Sequence, residues 1–244
     1  MVQFLPRDKY FGVSMNQKFM TNLLKDFRKF ALDKTNVKRD SLDYLSKNMT
    51  PYILEERKLN VTQMDVFSRL MLDRIIYFSG EVTPEVCDMV NAQLLYLNNS
   101  DGDNGRDIQL FINSPGGSVV DGLSVVDTMN FIDCDVSTTC MGMAASMGSV
   151  LLSNGAIGKR YVLPHSRVMI HQVSSSMRGT VSDMEIEFAE TQRCKKDVYN
   201  VLAQNTGHTY EEMEKLCDRN NWFIGKEAVD DLHIADKVIE CNKR

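Results

Sequence analysis

The fold is decided by a strand-to-helix turn at residues 140–148, which reads Cys140-Met141-Gly142-Met143-Ala144-Ala145-Ser146-Met147-Gly148. The apolar run from Val136 to Met141 predicts a buried strand, and Val150 to Leu152 resumes the apolar pattern of a helix. Ser146 then lies beside N-terminal helix N–H groups that could hold an oxyanion. The turn departs from the nucleophile elbow G-x-S-x-G, because Ala144 stands where the first glycine belongs. It therefore predicts a serine nucleophile, or alternatively a serine that only caps a helix.

Two more segments add a histidine and a glycine-rich loop. The apolar residues 168–170 predict a strand that ends at His171, and the alternating residues 107–112 predict another strand. The second strand runs into the loop Asn113-Ser114-Pro115-Gly116-Gly117-Ser118. Its glycines can turn backbone N–H groups toward an anion. A histidine at a strand end is often a core residue, and such a loop is often an ordinary turn. The combination of serine, histidine and loop predicts nucleophilic catalysis.

The three segments resemble motifs of the ClpP family of self-compartmentalised serine peptidases. The matching runs are 112–117, 144–148 and 169–172, in the family's order and spacing. The resemblance covers about residues 49–244. It implies an α/β fold, the ClpP/crotonase superhelix of repeated strand–strand–helix units with a protruding handle helix. The implied function is that of the proteolytic subunit of an ATP-dependent Clp-type protease, a serine endopeptidase that hydrolyses unfolded polypeptides to short peptides inside a ring-stacked chamber.

The resemblance also assigns the predicted catalytic groups. Ser146 would be the nucleophile and His171 the general base. The backbone N–H groups of Gly117 and Met147 would form the oxyanion hole. One departure concerns residues 173–176, which read Val-Ser-Ser-Ser where the family usually has Pro-Leu-Gly-Gly-like residues. That segment lines the family's substrate site, so the alignment of a bound peptide is expected to differ here.

A second departure replaces the acidic member of the family's catalytic triad with an amide. When Trp222 is aligned with the family's pattern, Asn220 falls at the position of the triad aspartate. Asparagine can orient His171 through its amide oxygen, but it lends no negative charge to the imidazolium, so we expect weak or conditional activity. Asp218 and Arg219 match a family pair that forms ring–ring contacts. The alternative for that pair is two solvated charges on a loop.

The remaining pattern alternates strands and helices, which predicts a largely parallel sheet. Predicted strands are 74–78, 107–112, 135–141, about 160–163, 167–171 and 234–239. Helices are predicted at 118–131, 146–154 and about 182–205. Two more are predicted from their first residues, one after an N-cap at Thr83 and one with a capping box at Thr209.

Composition indicates one substantial domain behind a basic extension. The chain has 244 residues, of which 43% are hydrophobic, enough for one sizeable core. Residues 1–48 carry a net charge of +5 and the whole chain −5, which leaves −10 for residues 49–244. We expect residues 1–48 to be a propeptide or an assembly-modulating extension with one amphipathic helix, or else a solvated tail. By the resemblance, residues 49–66 would form an axial loop. Without the resemblance, the same residues predict only a polar connection. Residues 182–205 would be the handle helix.

The sequence also limits the partners. It has no apolar run near 18 residues and no signal peptide pattern, so we expect no membrane and a cytoplasmic location. The acidic body argues against nucleic acid. Six cysteines without C-x-x-C spacing and four histidines without i,i+4 pairing predict reduced thiols, no metal and no cofactor.

The resemblance supplies the expected partners. Because the chain lacks G-x-x-x-x-G-K-[ST], the energy for unfolding substrates must come from another protein. In the family that protein is an AAA+ Clp ATPase unfoldase such as ClpX, ClpA or ClpC. The chain itself would form heptameric rings, stacked as a tetradecamer of its own copies or with a ClpP paralogue. Its substrates would be proteins and peptides.

Two other functions fit parts of the sequence. Asn220 favours a weakly active or regulatory paralogue in a hetero-oligomeric particle, whereas the retained Ser146 and His171 favour an enzyme. A crotonase-like acyl-CoA enzyme would share the fold and the oxyanion site. It would not need a serine and a histidine at these two positions.

Overall fold

The computed structural model describes residues 52–57, 60–100 and 106–240, and the chain divides into units at residues 1–69 and 70–244. In the first unit, β1 (Tyr52–Arg57) and β2 (Asn60–Asp65) form an antiparallel hairpin. The polar connection that these residues predict on their own is therefore wrong; the axial-loop assignment stays a prediction. A short helix that the sequence pattern did not indicate, α1 (Val66–Leu72), follows. The predicted helix in the extension at 1–48 lies outside the described residues.

The second unit is built on a seven-stranded sheet. Its strands are β3 (Ile75–Val82), β4 (Ile108–Gly117), β5 (Val136–Ala145), β6 (Arg160–Val162), β7 (Arg167–Ile170), β8 (Asn221–Ile224) and β9 (Lys237–Val238). The path β3-β4-β5-β6-β9 is parallel throughout, and β7 pairs in parallel with the far end of β5. Only β8 runs antiparallel, against β7. The predicted α/β class with largely parallel pairing is confirmed.

Six helices of the described chain belong wholly to this unit: α2 (Pro84–Asn99), α3 (Val119–Phe131), α4 (Met147–Ser153), α5 (Val181–Thr206), α6 (Tyr210–Leu216) and α7 (Glu227–Asp230). The predicted N-cap of α2 is confirmed, because the Thr83 side chain accepts a hydrogen bond from the Val86 N–H. The predicted capping box between Thr209 and Glu212 is confirmed as well. Gly207 ends α5 with a left-handed backbone, φ 78°, a conformation that glycine adopts without steric cost.

The core lies against β4 and β5. Alternate residues of β4 are buried, whereas β5 is buried continuously from Val136 to Cys140, as expected for a strand covered on both faces. Both strands run further than the sequence predicted, through Gly117 and Ala145. The segment predicted as a loop at 113–117 is the end of β4, which shifts register after Ile112 to continue along β5.

The predicted last strand is shorter than expected. Only Lys237 and Val238 pair with β6, instead of the whole of residues 234–239. Ile234 is buried, but its N–H donates to the Ala228 carbonyl of α7 rather than to a neighbouring strand. Its apolar character reflects burial in a turn. A short apolar run in the sequence does not distinguish a buried strand from a buried turn.

The predicted handle helix corresponds to α5. Its 26 residues span about 39 Å at 1.5 Å per residue. The second half packs on the core through Val198, Tyr199 and Leu202, whereas in the first half Ile186 and Phe188 are 67% and 55% exposed. Half of the helix therefore extends beyond the core. Despite its length it is too polar for a bilayer, and no other helix among the described residues is long and apolar enough to span one.

Candidate active site

Ser146 lies at the junction between β5 and α4. Its backbone has φ 54° and ψ −123°, and it is one of three non-glycine residues with positive φ in the described chain. Such a conformation costs of order 1–3 kcal/mol and persists only where the surroundings fix it. The Ser146 N–H donates to the Met169 carbonyl at 2.8 Å. The side chain makes no capping hydrogen bond, so the alternative of a simple helix cap is not realised.

His171 follows β7, and the pairing of β7 with β5 brings it to Ser146. Ala145 is paired with Met169 in the parallel register, and the two strands therefore end side by side. The Nε2 atom of His171 lies 2.8 Å from the Ser146 Oγ. This is hydrogen-bond distance between a hydroxyl and a base that could take its proton.

Asn220 reaches the other nitrogen of the same imidazole. Its Oδ1 lies 3.1 Å from the His171 Nδ1. The position follows from β8, whose antiparallel register pairs Ile170 with Asn221 and so sets the start of β8 beside the end of β7. When the amide oxygen accepts from Nδ1–H, Nε2 is left free to accept from Ser146. Asn220 is exposed and contributes no charge to this arrangement.

The residues of the predicted oxyanion donors line the same cleft as Ser146. Met147 is the first residue of α4, and the first N–H groups of a helix have no intrahelical partner. Gly117 ends β4 with φ 151°, and both residues line one cleft with Ser146 and His171. The structure therefore brings together Ser146, His171, Asn220, Gly117 and Met147, all of which the sequence had singled out.

Gly116 has a role in the site that the sequence reasoning missed. A Cβ atom at this position would lie 2.6 Å from the Ser146 Cβ and 2.9 Å from the Met147 nitrogen. Its φ of 91° also favours glycine. Only a residue without a side chain can pack here, so Gly116 sets how closely β4 approaches the serine turn. The doubled glycine after Pro115 is the signal that could have indicated it.

The cleft beside Ser146 is lined by apolar side chains and by polar groups in similar measure. Its apolar lining comes from β7, α3, α4 and α5: Val119, Met147, Val150, Ile170, Val198 and Leu202. The residues after His171 also line it, namely Gln172, Val173 and Ser174. The sequence departure at 173–176 therefore borders the cleft, and an apolar side chain could be seated next to the nucleophile.

Asp218 and Arg219 lie in the same turn as Asn220 but do not line the cleft. Their Oδ2 and Nε atoms are 3.7 Å apart, and the side chains are 70% and 85% exposed. A pair this exposed contributes little to stability. The carbonyl of Asp218 accepts a hydrogen bond of 2.8 Å from the Gln172 Nε2, which joins this turn to the segment that carries His171.

Two buried cysteines on the elements that lead to Ser146 and Asn220 are poor candidates for the nucleophile. Burial raises the pKa of the Cys140 thiol to about 11 and that of the Cys217 thiol to about 12. Both therefore remain thiols near neutral pH, where the thiolate is the reactive form. No group of three or more His, Cys, Asp or Glu side chains within the described part of the chain is arranged to hold a metal ion.

Comparison with known proteins gives consistent matches over most of the chain. The family model described as Clp protease matches residues 57–242. A protein of Porphyromonas gingivalis named ATP-dependent Clp protease proteolytic subunit is 45% identical over 225 residues, covering 91% of this chain and all of that protein. A protein of the same name from Bacteroides fragilis is 49% identical over 209 residues, 84% of this chain and 94% of that protein. One from Bacteroides thetaiotaomicron is 48% identical with the same coverage.

Proposed function

We propose that this chain, which belongs to the Clp protease family, hydrolyses peptide bonds with Ser146 as nucleophile, His171 as general base and Asn220 as the residue that orients His171. The observation that carries the proposal is the chain of two contacts, 2.8 Å from the Ser146 Oγ to the His171 Nε2 and 3.1 Å from the His171 Nδ1 to the Asn220 Oδ1. With these roles the chain is a serine endopeptidase, the class of enzyme that the motifs and the family both indicate.

In the acylation step, His171 Nε2 takes the hydroxyl proton of Ser146 while Oγ attacks the carbonyl carbon of the scissile bond. The carbonyl oxygen becomes an oxyanion, to which the N–H groups of Gly117 and Met147 donate; losing one such donor typically costs about 10²–10³ in rate. His171 then gives its proton to the leaving amine. In the second half of the reaction His171 takes a proton from water as the water oxygen attacks the acyl carbon. It then gives that proton to the Ser146 Oγ as the ester bond breaks, which releases the peptide acid and restores Ser146.

Asn220 can fix the tautomer of His171, but it cannot stabilise the positive charge that His171 acquires. Its amide oxygen holds the proton on Nδ1, so that Nε2 can accept from Ser146. It carries no charge to stabilise the imidazolium that forms in the transition state. We therefore propose slow turnover for this chain on its own.

We further propose that the chain works in stacked heptameric rings, a tetradecamer, with an AAA+ Clp ATPase such as ClpX, ClpA or ClpC, in the cytoplasm. The support is the name of the relatives, ATP-dependent Clp protease proteolytic subunit, together with the exposed apolar residues in the first half of α5. In this proposal the first half of α5 and the pair Asp218–Arg219 contact a second ring. Residues 49–66 form the axial loop that meets the ATPase, and residues 1–48 are a removable extension.

A second candidate function is a weakly active or regulatory subunit beside a ClpP paralogue. The observation that favours it is the neutral Asn220, since a fully active partner in the same particle would carry out most of the peptide hydrolysis. It predicts that mixed particles hydrolyse peptides much faster than this chain alone.

The test of the catalytic proposal is labelling of the purified full chain with a fluorophosphonate, together with hydrolysis of a fluorogenic peptide. Ser146→Ala should lose both signals while keeping the oligomer size on a sizing column. Ser182→Ala, which removes an exposed hydroxyl on α5, is the matched control and should keep both. Labelling or hydrolysis that survives in Ser146→Ala would remove Ser146 as the nucleophile.

A further inference from the structure

We infer that Gln172 is a positioning residue: it ties the turn that carries Asn220 to the segment that carries His171. The inference rests on the proposed function, because it concerns how the third member of the proposed site is held. Gln172 would thus act neither by binding the peptide nor by transferring a proton, but by holding Asn220 in place.

The tether is a single hydrogen bond across the site. Gln172 directly follows His171, and its Nε2 donates to the carbonyl oxygen of Asp218 at 2.8 Å. Asp218 precedes Asn220 by two residues, in the turn between α6 and β8. Both ends of the contact between His171 and Asn220 are therefore linked a second time, by a neighbour of each.

The turn has few other restraints at this point. Strand pairing begins only at Asn221, which faces Ile170, while Asp218, Arg219 and Asn220 are all exposed. On the side of α6, the Asp218 N–H bonds to the Lys215 carbonyl at 3.3 Å. The Asn221 Nδ2 also donates to the Leu216 carbonyl at 3.4 Å, which closes the turn on itself. Among the described contacts within the chain, the Gln172 side chain is the one that ties the backbone of this turn to the segment that carries His171.

The chemistry of Asn220 makes such a restraint important. A carboxylate would be drawn to the imidazolium over several ångströms, because Coulomb attraction falls slowly with distance. A neutral amide orients the imidazole only while the hydrogen bond keeps its short length and its direction. A displacement of the turn that an aspartate would tolerate therefore breaks the contact that Asn220 makes.

A competing role for Gln172 is contact with the substrate, because it also lines the cleft. The two roles differ in what they change. Loss of a substrate contact weakens binding of the substrate, whereas loss of the tether leaves binding intact and slows the reaction of Ser146. They differ also in their dependence on Asn220, since only the tether acts through it.

The experiment is a double-mutant cycle on the full chain with Gln172→Met and Asn220→Ala. Methionine keeps the length of the side chain but has no amide donor. The readouts are the maximal rate and the half-saturating concentration for fluorophosphonate labelling of Ser146, which need no multiple turnover, and kcat and KM for a fluorogenic peptide. Gln204→Met, at an exposed position on α5, is the matched control.

Gln172→Met should lower the maximal labelling rate and kcat by about two- to tenfold, the worth of one net hydrogen bond, with the half-saturating concentration and KM unchanged. In the Asn220→Ala background the same substitution should have no further effect. Gln204→Met should match the parent. Gln172→Leu, which also lacks the donor and adds no charge beside His171, should repeat the result if methionine disturbs the oligomer.

Three results would overturn the inference: no change in the maximal rate, a change confined to KM or the half-saturating concentration, or an equal loss with and without Asn220. Each is distinct from failure of the proposed function, which is read from Ser146→Ala. If Ser146→Ala still reacts, the catalytic proposal fails; if it is inert while the cycle is additive, only the tether fails.

Discussion

Asn220→Asp should raise the turnover of this chain, because it adds a negative charge beside the imidazole of His171. Asparagine and aspartate have the same shape, so the oxygen that accepts from the His171 Nδ1 stays at about 3.1 Å. The hydrogen bond then becomes charge-assisted, which makes it about twice as strong. More important, the carboxylate faces the imidazolium that forms as Ser146 attacks, and stabilises the transition state over the resting enzyme.

The size of the gain follows from the distance and the exposure. Unit charges 3.1 Å apart attract by about 1.3 kcal/mol in the dielectric of water and by about 5 kcal/mol at an effective dielectric of about 20. Because Asn220 is exposed, the value near that of water applies. At 1.36 kcal/mol per decade, turnover should rise roughly tenfold.

The assay is steady-state hydrolysis of a small fluorogenic peptide by the two purified variants, matched for oligomer size on a sizing column. Asn200→Asp adds the same charge at an exposed position on α5 and should leave turnover unchanged. Equal or lower turnover in Asn220→Asp would refute the reasoning. Assembly, or a different residue as the third member, would then limit the rate.

Three further predictions follow from other parts of the chain. A chain limited to residues 49–244 should still form oligomers, because the extension carries a separate charge balance; light scattering that shows only monomers would contradict this. Gly116→Ala should lower both the melting temperature and the labelling of Ser146, since its Cβ would lie 2.6 Å from the Ser146 Cβ; a variant with parental values would show that the turn can move aside. Partial burial raises the pKa of Asp236, but hydrogen bonds from Arg160 outweigh it and leave the pKa below the ordinary 3.8. The stability from this pair is therefore complete above the unfolded pKa and disappears as the pH falls through the lower folded pKa. In thermal melts, Asp236→Asn should be less stable than the parent chain at about pH 7 and should approach it in strong acid. A difference in melting temperature that persists in strong acid would argue against the pair.

The sequence predicted the elements whose signals are local. The capping residue Thr83 and the box at Thr209 involve neighbours within one turn of helix, and both were found where predicted. The strand–turn–helix at Ser146 combined an apolar run with small residues, and its end points differed only by a few positions. Patterns of this kind depend on adjacent residues, which is why they can be read without the rest of the fold.

The site was predicted through the family resemblance, since its contacts join distant parts of the chain. His171 and Asn220 are 49 residues apart in sequence, and no periodicity connects them. Gly116 was missed because its constraint is the nearness of Ser146, which appears only once β4 and β5 are side by side. The hairpin at Tyr52–Asp65 was missed because its residues alternate too weakly between polar and apolar character.

The antiparallel course of β8 has a consequence for which changes of length the chain can accept. Exposed turns usually tolerate inserted or deleted residues, and the turn before β8 is exposed. Here, however, Asn220 is one residue from the pair Ile170–Asn221. One residue inserted directly after Asn220 would put a different side chain opposite the imidazole, with no change in the core. The number of residues in this turn is therefore constrained more tightly than its exposure alone would suggest.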